Sequence, residues 1–172
     1  MKRTSTVMPS AIACLLAGTL AAPTIAAAQT SLGAEDYLDL ATLSMTTAPL
    51  RDLQKANDAG WDFLFGTCME SAAGGMGEHY LNLAEIDGAV SAERPEALLF
   101  EPMKNGGRRL VAVEYIVPPP FVDPANPPEL FGQDFHYSAA NDVWILHVWI
   151  WRHNPTGMFE DWNPVVSCQY AN

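Results

Sequence analysis

Two long apolar runs, each carrying one polar side chain, constrain this chain more than any other feature. Val143-Trp144-Ile145-Leu146-His147-Val148-Trp149-Ile150-Trp151 contains His147, and Leu110-Val111-Ala112-Val113-Glu114-Tyr115-Ile116-Val117 contains Glu114. Apolar runs of this length without alternation read as strands covered on both faces. Such strands need a layer on each side, and a lone hydrogen-bonding or charged group among them costs roughly several kcal/mol unless it finds a partner. His147 and Glu114 are therefore the first candidates for a purpose beyond packing.

The ends bound the rest. Met1-Lys2-Arg3, an apolar stretch from Ala11 to Ala22, and Ala26-Ala27-Ala28 before Gln29 form the pattern of a secretory signal peptide. We read residues 1–28 as that leader and 29–172 as a single globular domain. The apolar stretch is short for a membrane span, so no membrane association is expected after cleavage. Periplasmic or extracellular localisation follows. The leader takes Lys2 and Arg3, leaving seven basic against 20 acidic residues and a net charge of −13 for the domain. Nucleic acid is a poor partner for that charge, and a cation or a small molecule is a better one. Composition says nothing of oligomeric state. The two cysteines of the domain, Cys68 and Cys168, are expected to form one disulfide.

Turn and breaker residues divide the domain. Glu35 to Met45 is weakly helical, and Thr47-Ala48-Pro49 is expected to open a better helix with Thr47 as its cap. Trp61 to Thr67 reads as a short strand, and Ser71 to His79, rich in glycine, as a loop. Glu96 to Val117, with Lys104-Asn105-Gly106-Gly107 at its turn, reads as a β-hairpin. Six prolines between Pro118 and Pro128 make a stiff extended crossing. A long strand is expected over 143–152, and Asn154-Pro155 and Asn163-Pro164 bracket a compact loop. The expected fold is α+β: a curved antiparallel sheet of four to six strands, one main helix packed on it, and one disulfide.

Four histidines are present: His79, His136, His147 and His153. His147 and His153 share a strand face but stand about 20 Å apart if the strand is straight, too far for one ion. Whether His153 joins a site depends on the chain folding back. His147 and Glu114 form the better pair if their strands are neighbours. That pair is open to three readings: a buried hydrogen bond that fixes strand alignment, a metal ligand with its orienting partner, or an acid–base couple. His79, on its glycine-rich segment, and His136, between Phe135 and Tyr137, are candidate further ligands. His147, His79, His136 and Glu114 together make a donor set suited to Zn, Cu, Fe or Mn, and Met76 would add a soft ligand for Cu(I). The site would make the chain a metal-binding protein, and a metalloenzyme where a coordination position stays open. Catalytic residues are not assigned. Trp149, Trp151 and Tyr137 are either core or the walls of a pocket for a small apolar or aromatic ligand. No GxSxG nucleophile motif is present. A structural protein without chemistry, using the proline-rich crossing as a contact, is the remaining reading.

The segments Gly74-Gly75-Met76-Gly77-Glu78-His79-Tyr80, Arg94-Pro95-Glu96-Ala97-Leu98-Leu99-Phe100-Glu101-Pro102, Val113-Glu114-Tyr115, and Leu146-His147-Val148-Trp149 through Asn154-Pro155 to Asp161-Trp162-Asn163-Pro164 together resemble a group of small exported bacterial proteins of unknown function. The resemblance covers most of the domain. It implies export and a single domain, and nothing about chemistry.

Overall fold

The computed structural model describes residues 32–171; the leader expected over residues 1–28 lies outside them. The fold is α+β, with one main helix on a curled, half-barrel antiparallel sheet. Helix α1 spans Ala34–Thr47 and continues through a 3-10 turn at Ala48–Arg51 into the short α2, Leu53–Asp58. The strands are β1 Phe63–Ser71, β2 Gly74–Leu81, β3 Ala97–Pro102, β4 Arg108–Val117, β5 Glu129–Leu130, β6 Gln133–Asp134, β7 His136–Ser138 and β8 Val143–Val148. Six of them form one sheet in the order β1-β2-β3-β4-β8-β7, while β5 and β6 pair separately. No described helix is long and apolar enough to cross a membrane.

The two apolar runs are neighbours at the middle of the sheet, with Val113 opposite Val148, Glu114 opposite His147 and Tyr115 opposite Leu146. Side chains then sort by parity. Leu98, Phe100, Val113, Tyr115, Val117, Leu146 and Val148 face α1, where Leu40 and Leu43 complete one core. Ala97, Leu99, Ala112, Ile116 and Ile145 face the other way, against Met76, Trp149 and Val166. Covering on both faces explains why neither run alternates.

Three local expectations are corrected. The main helix is the stretch before Thr47. Asp36 caps it by accepting a hydrogen bond from the Gly33 amide at 2.7 Å, and Leu40 and Leu43 anchor it. Thr47 does not cap; its hydroxyl donates to the Leu43 carbonyl at 2.6 Å, and Asp52 caps α2 instead, accepting from the Lys55 amide at 3.2 Å. The glycine-rich segment is strand β2. Its glycines serve close approach: a Cβ on Gly75 would lie 2.7 Å from the Val166 carbonyl oxygen, and one on Gly77, at φ +99°, 2.7 Å from that of Phe100. The long strand stops at Val148, because the chain bends away there: the Trp149 amide donates to Met158 at 2.9 Å and the Trp151 amide to Val111 at 3.2 Å.

The Cys68–Cys168 disulfide is present, with a Cα–Cα distance of 5.7 Å. It fastens the C-terminal segment to β1. The segment is also paired with β2, since Gly75 and Asn163 exchange both backbone hydrogen bonds at 3.1 Å.

Candidate metal centre

Four successive strands bring the site together. His79 projects from β2, Glu114 from β4 and His147 from β8, all on the face away from α1. Glu114 and His147 are direct cross-strand partners. His79 and Glu114 are two strands apart, about 10 Å of backbone separation, with β3 between them. The residue of β3 opposite Glu114 is Ala97, fully buried. Leu99 is the β3 residue opposite His79, so the two side chains approach along a diagonal across β3, with the small Ala97 beside Glu114. The curl of the sheet closes the remaining distance.

The Nε2 of His79 lies 3.5 Å from Oε2 of Glu114, and Nε2 of His147 lies 3.6 Å from Oε1 of the same carboxylate. The two imidazoles stand edge to face, with centroids 6.2 Å apart. One donor atom from each of His79, Glu114 and His147 falls within a group no wider than 4.8 Å, a buried set that could hold a metal ion. Ligands at about 2 Å from a common ion stand roughly 3.3 Å from one another, so side-chain adjustments of the order of an ångström would complete the geometry.

Asp161 orients the centre. It lies in the bracketed loop, and its Oδ1 is 3.1 Å from Nδ1 of His147 and 3.2 Å from Nε2 of His136. Burial alone would raise the Asp161 carboxyl, but the hydrogen bonds from His136 and His147 outweigh it and hold the group well below the ordinary carboxylate range. An ionised carboxylate only accepts, so Nδ1 of His147 carries a proton toward it. In the neutral ring the lone pair is then on Nε2, the atom that faces Glu114. That nitrogen is buried and has no hydrogen-bond partner.

The other protonation states fit this arrangement. Burial lowers His79 from its ordinary value; the Glu114 charge and the Gly77 backbone oppose the shift, and His147 reinforces it. His79 is thus held in the neutral form that ligates metal. His136 is raised, chiefly by its hydrogen bond to Asp161 with burial opposing.

The loop bearing Asp161 is tied down at several points. The Trp149 indole donates to the Glu160 carbonyl at 2.5 Å. The Asn154 amide donates to the Trp162 carbonyl at 3.1 Å, and the Asn163 amide to that of His153 at 3.2 Å. The two Asn-Pro pairs therefore hold the loop through buried asparagines, and the loop in turn holds Asp161.

The cluster sits in a cavity of about 500 Å³. Phe65, Met69, Leu81, Ile116, Ile145 and Trp162 supply much of its wall, with Tyr137, Ser138 and Asn141 also lining it. Met76 lines it as well.

Of the expected ligands, the structure gathers His79, Glu114 and His147. It does not bring His136 into that group. β7 is the edge strand beyond β8, so His136 stands further out and bonds to Asp161, with a side chain 48% exposed. His153 is exposed and does not line the cavity; the strand that would have aligned it with His147 ends at Val148. Of the expected pocket walls, only Tyr137 lines the cavity. Trp149 is buried in the core behind it and spent on Glu160. Trp151 is turned toward α1, where its indole donates to Thr47 at 3.1 Å and Arg51 stacks 4.8 Å above its ring. Asp161 was not anticipated; its one signal was a carboxylate set beside Trp162 in a loop bounded by proline pairs. No family model, curated protein or solved structure matches this chain.

Proposed function

We propose that the protein is exported and binds one divalent transition-metal ion through Nε2 of His79, the Glu114 carboxylate and Nε2 of His147. The observation that carries this reading is the placement of the His147 ring between two carboxylates. Its Nδ1 lies 3.1 Å from Asp161, and its buried Nε2, without a hydrogen-bond partner, faces the Glu114 carboxylate at 3.6 Å. A lone pair facing an anion in a buried site is unfavourable unless a proton or a cation lies between them. A carboxylate that holds a histidine by its far nitrogen is also the usual support of a metal-bound imidazole. Two imidazoles and one carboxylate suit Zn, Fe, Mn or Cu. Three protein ligands leave a position for water or substrate, and the adjoining cavity gives that position access, so the centre is suited to a metalloenzyme. The disulfide and the leader-like N-terminal sequence support export.

Equilibrium titration of the metal-free protein with Zn²⁺ tests the reading. One ion per chain is expected. At a hundredfold excess over Kd, binding should stabilise the fold by about 2.7 kcal/mol and raise Tm by roughly 5–10 °C. His147→Ala should abolish the effect and His153→Ala should leave it intact. No zinc binding, or equal binding by His147→Ala, overturns it.

A further inference from the structure

We propose that the cavity binds a small uncharged amphiphile, with an apolar body along its walls and a single hydroxyl or carbonyl head directed at His147 and Glu114. The inference rests on the metal reading only for what the head touches. At about 500 Å³ the cavity falls within the roughly 300–1,000 Å³ typical of small-molecule sites.

Its lining is mostly apolar with a few polar groups. Phe65, Met69, Leu81, Ile116 and Ile145 offer only hydrocarbon and thioether surface, which suits an aliphatic or aromatic body. His79, Glu114 and His147 form one compact polar cluster in the lining, with Asp161 bonded to His147, while His136, Tyr137, Ser138 and Asn141 add further polar groups. His147 is fully buried there and its Nε2 has no hydrogen-bond partner.

Charge selects the head. Among the described residues, no lysine or arginine lines the cavity, while Glu114 and Asp161 do. An anionic head would enter a site holding two carboxylates in a strongly acidic chain. With an ion present, those two carboxylates already match a divalent charge. A cationic head would find few acceptors: Asp161 Oδ1 already takes two imidazole N–H groups, and Glu114 would be shared with the ion. A neutral oxygen fits both states. It can donate to Glu114 or bond to Nε2 of His147 when no ion is bound, and it can occupy an open position on an ion when one is.

Calorimetric titrations with 1-octanol, 1-decanol, decanoate and decylammonium, on metal-free and zinc-treated protein, test this. One decanol per chain is expected, bound roughly fifteenfold tighter than octanol, since each buried CH₂ contributes about fourfold. Decanol should also bind at least tenfold tighter than either charged decyl compound. Ile145→Trp should abolish binding by filling the cavity. Val143→Phe, at its partly exposed wall, should weaken decanol binding at least tenfold and serves if Ile145→Trp fails to fold. Decanoate or decylammonium binding as tightly as decanol overturns the choice of head. Absence of chain-length dependence, or full binding by a folded filled variant, overturns the choice of site. Decanol binding with the expected ranking in a chain that takes up no zinc supports the cavity assignment and removes the metal reading.

Discussion

Asp161 accepts a hydrogen bond from Nδ1 of His147 at 3.1 Å, and this contact fixes which way the buried ring faces. The ring is held from the loop side and presents its other edge to Glu114. If the centre binds metal, Asp161→Asn should weaken zinc binding by about 10- to 100-fold while leaving one site per chain. The asparagine can turn an amide N–H toward the ring and favour the wrong tautomer. Competition of the variant against a chelator of known affinity measures the loss, and unchanged affinity would show that the contact is purely structural.

Ala97 is the small β3 neighbour of Glu114, on the diagonal between Glu114 and His79. Ala97→Leu removes no ligand, yet it should separate them. We expect zinc affinity to fall more than tenfold and stability to fall by about 1–3 kcal/mol from overpacking. Titration and urea unfolding of the same preparation read the two effects separately. Retained affinity would mean that the side chains meet by another route.

Glu96 should make the fold pH-sensitive independently of the metal. It is 1% exposed, and its carboxylate accepts from the Ile116 amide at 3.0 Å. Burial raises the group to about 8, against the opposing effect of the Ile116 bond. Because the folded value lies above the unfolded one, the folded state binds the proton more tightly. The associated stability is present in full below about pH 4.5 and is lost as pH rises through about 8. The stability difference between Glu96→Gln and the parent should therefore shift in favour of the variant by on the order of a few kcal/mol from pH 5 to pH 9. Urea midpoints at both pH values check this, and a pH-independent difference would contradict it.

Removal of the disulfide should affect both fold and site. Its closure spans 100 residues, worth about 4.7 kcal/mol in the loop-entropy account. The paired Cys68→Ala and Cys168→Ala changes should lower Tm by roughly 8–16 °C. Zinc affinity should fall as well, since the fastened segment carries Asp161. Thermal melts and zinc titration of the double variant, set against the parent, give both readouts.

Much of the architecture was legible because it depends on local rules. The hairpin from Ala97 to Val117 follows from its turn residues and flanking apolar runs, and the pairing of Glu114 with His147 from the expense of leaving either alone. The cysteine pair follows from the even number of cysteines in residues 29–172. What was illegible depends on distant partners. A glycine permits either a loop or a close approach, and only the positions of Val166 and Phe100 decide for β2. Asp161 is one of 20 acidic residues, distinguished only by what lies opposite it in space. Trp149 and Trp151, two apart in one run, read as core or as walls of one pocket, and the backbone bend after Val148 sends their indoles to unrelated acceptors, Glu160 and Thr47.

The three candidate ligands come from strands separated by more than thirty residues at each step, and the residue that orients His147 lies near the chain's end. Closing such loops costs entropy before any contact rewards it. An ion at this centre therefore cannot act as a seed around which the chain collapses, as it does in small zinc-dependent domains. It would arrive as a late guest in a sheet already built on its own hydrocarbon, and its departure would leave that sheet standing.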